Sequence, residues 1–216
     1  MSKKYGVLFD LDGTVLYTDE LILETFQFVF KKYKPGYELS REELLSFLGP
    51  SLKASFERYF DPSMTEELID YYREFNHANH EKYVYVYETV RETLASLQAK
   101  GYPMAIVTTK YSVAAMIGLD TFDLTQYFDV VVGLDHVTLT KPNPEGVLKA
   151  MELLGVDRAV MIGDNDVDVL AAKNASIHSI AIKWSPKGYA HLEALNPDLL
   201  VDKMEEIIPF IEKVSE

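Results

Sequence analysis

At 216 residues and 48 % hydrophobic content, the chain is long enough to bury a sizeable core as one α/β domain carrying a smaller insert. The absence of cysteine excludes disulfides, thiolate metal sites and cysteine nucleophiles, and fits a cytoplasmic setting. A formal net charge of −13 disfavours nucleic acid and anionic membrane as partners, so an anionic substrate has to be drawn in by local lysines or a metal.

Lys3 and Lys4 precede an apolar run that stops at Asp10, too short for a signal peptide, and no later run has the length of a membrane span. Gly6 to Phe9 reads as the first strand, and Asp10-Leu-Asp-Gly-Thr14 follows it directly. Side chains two apart on a strand point the same way. The carboxylates of Asp10 and Asp12 are therefore expected to converge at the strand's carboxyl end, where open α/β sheets place their ligands. Two carboxylates that close need a shared proton or a cation, so a divalent metal is one reading; an acidic Asp-Gly turn is the other.

From about Val15 to Tyr83 nothing reads as a strand. Asp19 to Lys34, a helix opened by the capping box Ser40-Arg-Glu-Glu43, Leu52 to Phe60, and Glu66 to about Lys82 are all helical patterns. So long a helical stretch exceeds an ordinary βα connection and predicts an inserted lid over residues 15–83, with the main domain formed by 1–14 and 84–216. His77 and His80 on the last of these helices read as a solvated face rather than a metal pair, and Tyr71, Tyr72, Tyr83, Tyr85 and Tyr87 as packing rather than a platform for bases.

Beyond the insert, short β-branched runs alternate with amphipathic helices. Strands are expected at Met104 to Thr109, Val130 to Gly133, Ala159 to Ile162, Ile177 to Ile182 and Leu199 to Val201. Helices fall at Val90 to Lys100 and Glu145 to Leu154, each closed by glycine, and at Met204 to Val214. This alternation predicts an α/β fold with a doubly wound, mostly parallel, Rossmann-like sheet and an α-helical cap. Trp184 is expected to close the edge of the fifth strand.

Further polar groups sit at strand ends: Val107-Thr-Thr-Lys110, Lys141-Pro-Asn-Pro144 and Gly163-Asp-Asn-Asp-Val-Asp168. Each alone is ordinary chemistry for a strand end or a helix N-terminus. Together they supply what phosphoryl transfer uses. Asp10 and Asp164 are hard oxygen ligands for Mg²⁺, Thr108 and Lys141 are a hydroxyl and a fixed positive charge for phosphoryl oxygens, and Asp12 is an acid/base.

With these residues the chain resembles, over nearly its whole length, the haloacid dehalogenase superfamily of phosphohydrolases. Asp10-Leu-Asp-Gly-Thr14 is similar to the family's first motif, Thr108 to its second, Lys141 to its third, and Gly163-Asp164 with Asp168 to its fourth. The helical insert resembles the family's C1 cap. The resemblance implies that Asp10 is a nucleophile forming an aspartyl-phosphate and that Asp12 protonates the leaving group and then activates water. It implies Mg²⁺ held by Asp10, the Asp12 backbone carbonyl and Asp164, with Asp168 completing the acidic shell or orienting Lys141. By the same resemblance the carboxylate at position 12 favours phosphatase over dehalogenase, and a phosphoglucomutase-like enzyme stays as a further alternative.

Within the superfamily the chain resembles the branch of phosphoglycolate phosphatases and related inorganic pyrophosphatases. Phe47-Leu-Gly-Pro50, Val107-Thr-Thr-Lys110, Ile162-Gly-Asp-Asn165 and Trp184 with Lys187-Gly188 lean toward the pyrophosphatases. It departs at Tyr87-Glu-Thr89, where many relatives carry Pro-Gly. A small phosphorylated substrate with a second anionic group needs another cation, for which Lys53 and Lys110 are the candidates, with Thr109 beside them and Lys183 and Lys187 behind. The expected protein is a monomer or homodimer. A receiver domain would lack the cap, a nucleotide-sugar transferase would not require Thr108 and Lys141, and a catalytically silent relative should have lost a motif.

Overall fold

A computed structural model describes residues 5–216; Lys3 and Lys4 lie outside them. The chain forms two compact units, one of the residues up to Leu16 together with Val86–Glu216, the other Tyr17–Tyr85. These boundaries lie two residues beyond those expected at 15 and 83.

After β1 (Tyr5–Phe9) comes β2 (Leu16–Tyr17), a two-residue strand in the region read as purely helical. Four helices follow: α1 (Asp19–Tyr33), α2 (Arg41–Leu45), α3 (Leu52–Phe56) and α4 (Thr65–Tyr83). β3 (Tyr85–Val86) then pairs with β2 in a small ribbon of its own. α3 stops four residues before the expected Phe60. The capping box on α2 is complete, with the Ser40 hydroxyl accepting from the Glu43 amide and the Glu43 carboxylate accepting from the Ser40 amide at 2.8 Å. Hydrogen bonds from Tyr37 and Ser40 hold the Glu43 carboxyl down at about 2.

The helical unit has its own core of Phe26, Val29, Phe30, Phe47, Phe56, Leu68 and Tyr72. Phe47 stacks on Phe26 at 3.9 Å between ring centroids. Burying each such side chain contributes roughly 1.5–3 kcal/mol. On α4 the inward stripe runs Leu68, Tyr72, Asn76, His80 at the helical spacing of four. His80 is therefore buried, and only His77 is on a solvated face.

The remaining elements alternate: α5 (Val90–Ala99), β4 (Met104–Val107), α6 (Ser112–Thr121), β5 (Val130–Val132), α7 (Glu145–Leu154), β6 (Arg158–Gly163), α8 (Asp166–Asn174), β7 (His178–Ile182), α9 (Ala190–Glu193), β8 (Leu199–Val201) and α10 (Ile207–Ser215). Six strands form one parallel sheet in the order β5-β4-β1-β6-β7-β8. Leu8, Ala105, Val107, Ala159 and Met161 pack with α7 and α8 through Val147, Ala150, Ala171 and Ala172. The alternate residues Val7, Phe9, Ile106, Val160 and Ile162 are equally buried, so both faces of the sheet are covered.

The strand order places β1 between β4 and β6, where chain connections leave in opposite directions. That is the topological switch point at which a crevice opens outside the carboxyl ends of the strands. Phe9 is in register with Ile106 on one side and Ile162 on the other, so the residues after β1, β4 and β6 emerge side by side.

Candidate active site

Asp10 follows β1 directly, and its amide donates to the Ile162 carbonyl at 2.9 Å, extending the sheet ladder one residue beyond the strand. The chain then turns: Gly13 donates to the Leu16 carbonyl at 2.8 Å, and Asp12 bridges to Leu16. Gly13 takes φ +80°, and a Cβ on it would lie 2.6 Å from Asp164 Oδ2, so both conformation and closeness call for glycine. Because Asp10 and Asp12 lie beyond the strand, they do not converge on one partner as strand alternation predicts. Asp10 Oδ1 lies 2.9 Å from Lys141 Nζ, whereas Asp12 Oδ1 accepts from Lys110 Nζ at 2.7 Å.

Lys141, buried just before α7, is the centre of the site. Its ammonium also meets Asp168 Oδ1 at 2.5 Å and donates to the Val107 carbonyl at 2.9 Å. All three of its donors have acceptors. Asp168, in the first turn of α8, accepts from the Asn165 amide through Oδ2 at 3.0 Å. Gly163 makes this possible, since a Cβ there would lie 2.3 Å from Asp168 Cγ. Asp164 accepts from the Thr14 hydroxyl at 3.1 Å through Oδ1 and from Asn165 Nδ2 at 2.8 Å through Oδ2. Beyond β4, the Thr108 amide donates to the Val132 carbonyl at 3.0 Å and its hydroxyl accepts from the Lys110 amide at 3.1 Å.

Burial pushes the Asp10 carboxyl up to about 7; Lys141 opposes the rise, and Asp168 and Asp12 add to it. Burial alone would depress Lys141, but the carboxylates of Asp10 and Asp168 outweigh it and hold the ammonium above the ordinary lysine range.

The buried carboxylates of Asp10, Asp164 and Asp168 offer oxygens within 4.8 Å of one another. Lys141 sets its positive charge against two of these acids, Asp10 and Asp168. Buried charge of one sign is costly unless a cation offsets it. An all-oxygen, carboxylate-rich set suits a hard divalent ion such as Mg²⁺, so the residues fit the metal that the sequence suggests.

The family model described as haloacid dehalogenase-like hydrolase matches residues 7–182, a span that runs from the strand before Asp10 through the elements carrying Lys141 and Asp164. The chain belongs to the haloacid dehalogenase-like hydrolases. A pyrophosphatase PpaX of Bacillus cereus (strain G9842) is 44 % identical over 211 residues, covering 97 % of each chain. A crystal structure of a predicted phosphatase from Clostridium acetobutylicum is 32 % identical, with a TM-score of 0.84 over 99 % of both chains. One of a predicted phosphoglycolate phosphatase from Haemophilus somnus superimposes over 100 % of both chains with a TM-score of 0.81, and at 21 % identity it shows the shared fold. The chain is a hydrolase of the phosphatase class.

In this haloacid dehalogenase-like hydrolase the structure brings together Asp10, Asp12, Thr108, Lys110, Lys141, Asp164 and Asp168 at the ends of β1, β4 and β6. Thr109 is half-buried between Thr108 and Lys110. Lys53 lies on α3 of the helical unit, exposed, 3.9 Å from Glu57. Lys183 pairs with Asp202 at 2.9 Å.

Sequence reasoning gave no role to Thr14 or Asn165, and it named Trp184 and Lys187 in the loop after β7 without the contacts they make. Trp184 does not close a strand edge, because β7 lies between β6 and β8; its indole N–H donates instead to the Gly13 carbonyl at 3.1 Å. Lys187 donates to the Asn165 side-chain oxygen. The hydroxyl and amide types at 14 and 165, inside the two acidic motifs, were a usable signal; nothing local in the loop pointed to Gly13 or Asn165 as its partners.

Proposed function

We propose that the chain hydrolyses small phosphorylated substrates, inorganic pyrophosphate foremost, through an aspartyl-phosphate on Asp10. The observation that carries this reading is the buried Asp10 carboxylate held 2.9 Å from Lys141, itself braced by Asp168 and the Val107 carbonyl. The 44 % identity to a protein named pyrophosphatase supports the choice of substrate. An anion of this size is compatible with a net charge of −13 that disfavours nucleic acid and anionic membrane, and a cysteine-free chain suits the cytoplasm.

In this account Mg²⁺, held by Asp10, Asp164, Asp168 and the Asp12 backbone carbonyl, supplies positive charge to the phosphoryl oxygens when bound. Asp10 attacks phosphorus, forming an acyl-phosphate bond as the bond to the leaving oxygen breaks. Asp12 gives that oxygen its proton. Water then attacks the phosphorus of the aspartyl-phosphate, Asp12 takes the water's proton, and phosphate leaves with Asp10 regenerated. Lys141 and the Thr108 hydroxyl hold phosphoryl oxygens through both displacements. Lys110, Lys53 and Thr109 receive the second anionic group of the substrate.

The test is turnover against pyrophosphate, phosphoglycolate, sugar phosphates and nucleotides, with and without Mg²⁺. Pyrophosphate is expected to be turned over with the highest kcat/KM, only with the metal, and not by Asp10→Asn. A clear preference for another member of the panel overturns the substrate assignment.

A further inference from the structure

The loop from Lys183 to Gly188 is fixed at its base and reaches back into the site at two points. The Lys183 amide donates to the Val201 carbonyl at 3.0 Å, and Gly188 closes a turn onto Ser185 at 2.9 Å. Trp184 holds the Gly13 carbonyl at 3.1 Å, beside the turn that carries Asp12. Lys187 Nζ reaches Asn165 Oδ1 at 2.5 Å, and Asn165 Nδ2 in turn donates to Asp164 Oδ2 at 2.8 Å.

We propose that Lys187 is a positioning residue for Asp164, acting through the side-chain amide of Asn165. A carboxamide has an accepting end and a donating end, and here both neighbours dictate the same orientation. An ammonium can only donate, so it claims the oxygen; a carboxylate can only accept, so it claims the NH₂. With Thr14 donating to Oδ1 and Asn165 to Oδ2, both oxygens of Asp164 are held, and the carboxylate plane is fixed with lone pairs left for a metal. Without Lys187 the amide loses what keeps its carbonyl turned away from Asp164. The flipped amide then sets one oxygen against another at a buried acid that is 1 % exposed. Outer partners of this kind orient metal ligands, and their loss typically weakens metal binding about 10–100-fold.

The inference rests on the metal reading of the site, and Mg²⁺ titration calorimetry on the substrate-free protein tests the two separately. Lys187→Met is expected to bind Mg²⁺ about tenfold more weakly than wild type, with Lys187→Arg, which keeps a cationic donor, recovering most of the loss. In an Asn165→Ala background the Lys187→Met change should cause no further weakening, because the path through the amide is already cut. Wild-type affinity in a folded Lys187→Met protein overturns the proposal, as does a Lys187→Arg protein as weak as Lys187→Met, or additive losses in the double variant. A wild-type protein that takes up no Mg²⁺ overturns the metal reading itself, and the role of Lys187 with it.

Discussion

Lys141 and Asp10 meet at 2.9 Å with side chains that are 4 % and 10 % exposed, and Asp168 closes on the same ammonium from the other side. Removing the lysine leaves these carboxylates facing each other with little water. Lys141→Met should therefore destabilise the metal-free protein by about 3–5 kcal/mol, measured by urea unfolding in chelator. Turnover should fall about 10²–10³-fold in kcat. An unfolding midpoint equal to wild type contradicts the buried-pair account.

The Asp10 carboxyl, pushed by burial from 3.8 to about 7, sets a pH dependence whose sign follows from proton counting. Between those values the folded protein keeps a proton that the unfolded chain has released. In metal-stripped protein the stability contributed by this group is thus fully present below about pH 3.8 and lost as pH rises through about 7. Wild type should lose unfolding free energy relative to Asp10→Asn across that window, and the difference should level off above it. Mg²⁺ requires the deprotonated carboxylate, so its affinity should rise over the same range. A wild-type-to-Asn difference that stays constant with pH contradicts the assignment.

Thr89, at the N-cap of α5, takes φ +62°, a left-handed conformation that a β-branched residue adopts only under strain. Its hydroxyl oxygen is buried without a hydrogen-bond partner. Related proteins with Pro-Gly at this point would carry glycine where the backbone wants it. Thr89→Gly should accordingly stabilise the protein by about 1 kcal/mol, read from urea unfolding with an unchanged slope. Destabilisation by a similar amount contradicts the strain argument.

Lys110 has a carboxylate partner in Asp12, whereas Lys53 on the helical unit is paired only loosely with Glu57. Lys110→Ala should raise KM for the best substrate and lower kcat as well, because Asp12 loses its partner. Lys53→Ala should act on KM alone. Losing a hydrogen bond to a charged group corresponds to about a tenfold change in each case. Unchanged kinetics in both variants sinks the assignment of these lysines to the second anionic group.

Most of the site was legible because its groups cluster in short motifs at strand ends, and alternating apolar runs told where those ends fall. Asp10, Lys141 and Asp164 needed only that logic. The resemblance separated the roles of Asp10 and Asp12, but their separate partners, Lys141 and Lys110, were not legible, because both aspartates lie past the last strand residue, where the period of two no longer applies. Trp184 reaches Gly13 across 171 positions of sequence, a distance over which no local pattern carries information. His80 misled for a different reason. Its stripe on α4 continues inward through the polar Asn76, so hydrophobicity failed where the spacing of four, counted from Leu68, points to burial.

The central claim is that Asp10 carries the phosphoryl group during turnover. Rapid acid quench of the enzyme with pyrophosphate and Mg²⁺, followed by peptide mass spectrometry, tests it most directly. The account predicts a phosphoryl group on Asp10 during turnover, absent without Mg²⁺ and absent in Asp10→Asn. A phosphoryl group found on another residue, or Asp10→Asn turning over at the wild-type rate, would contradict it.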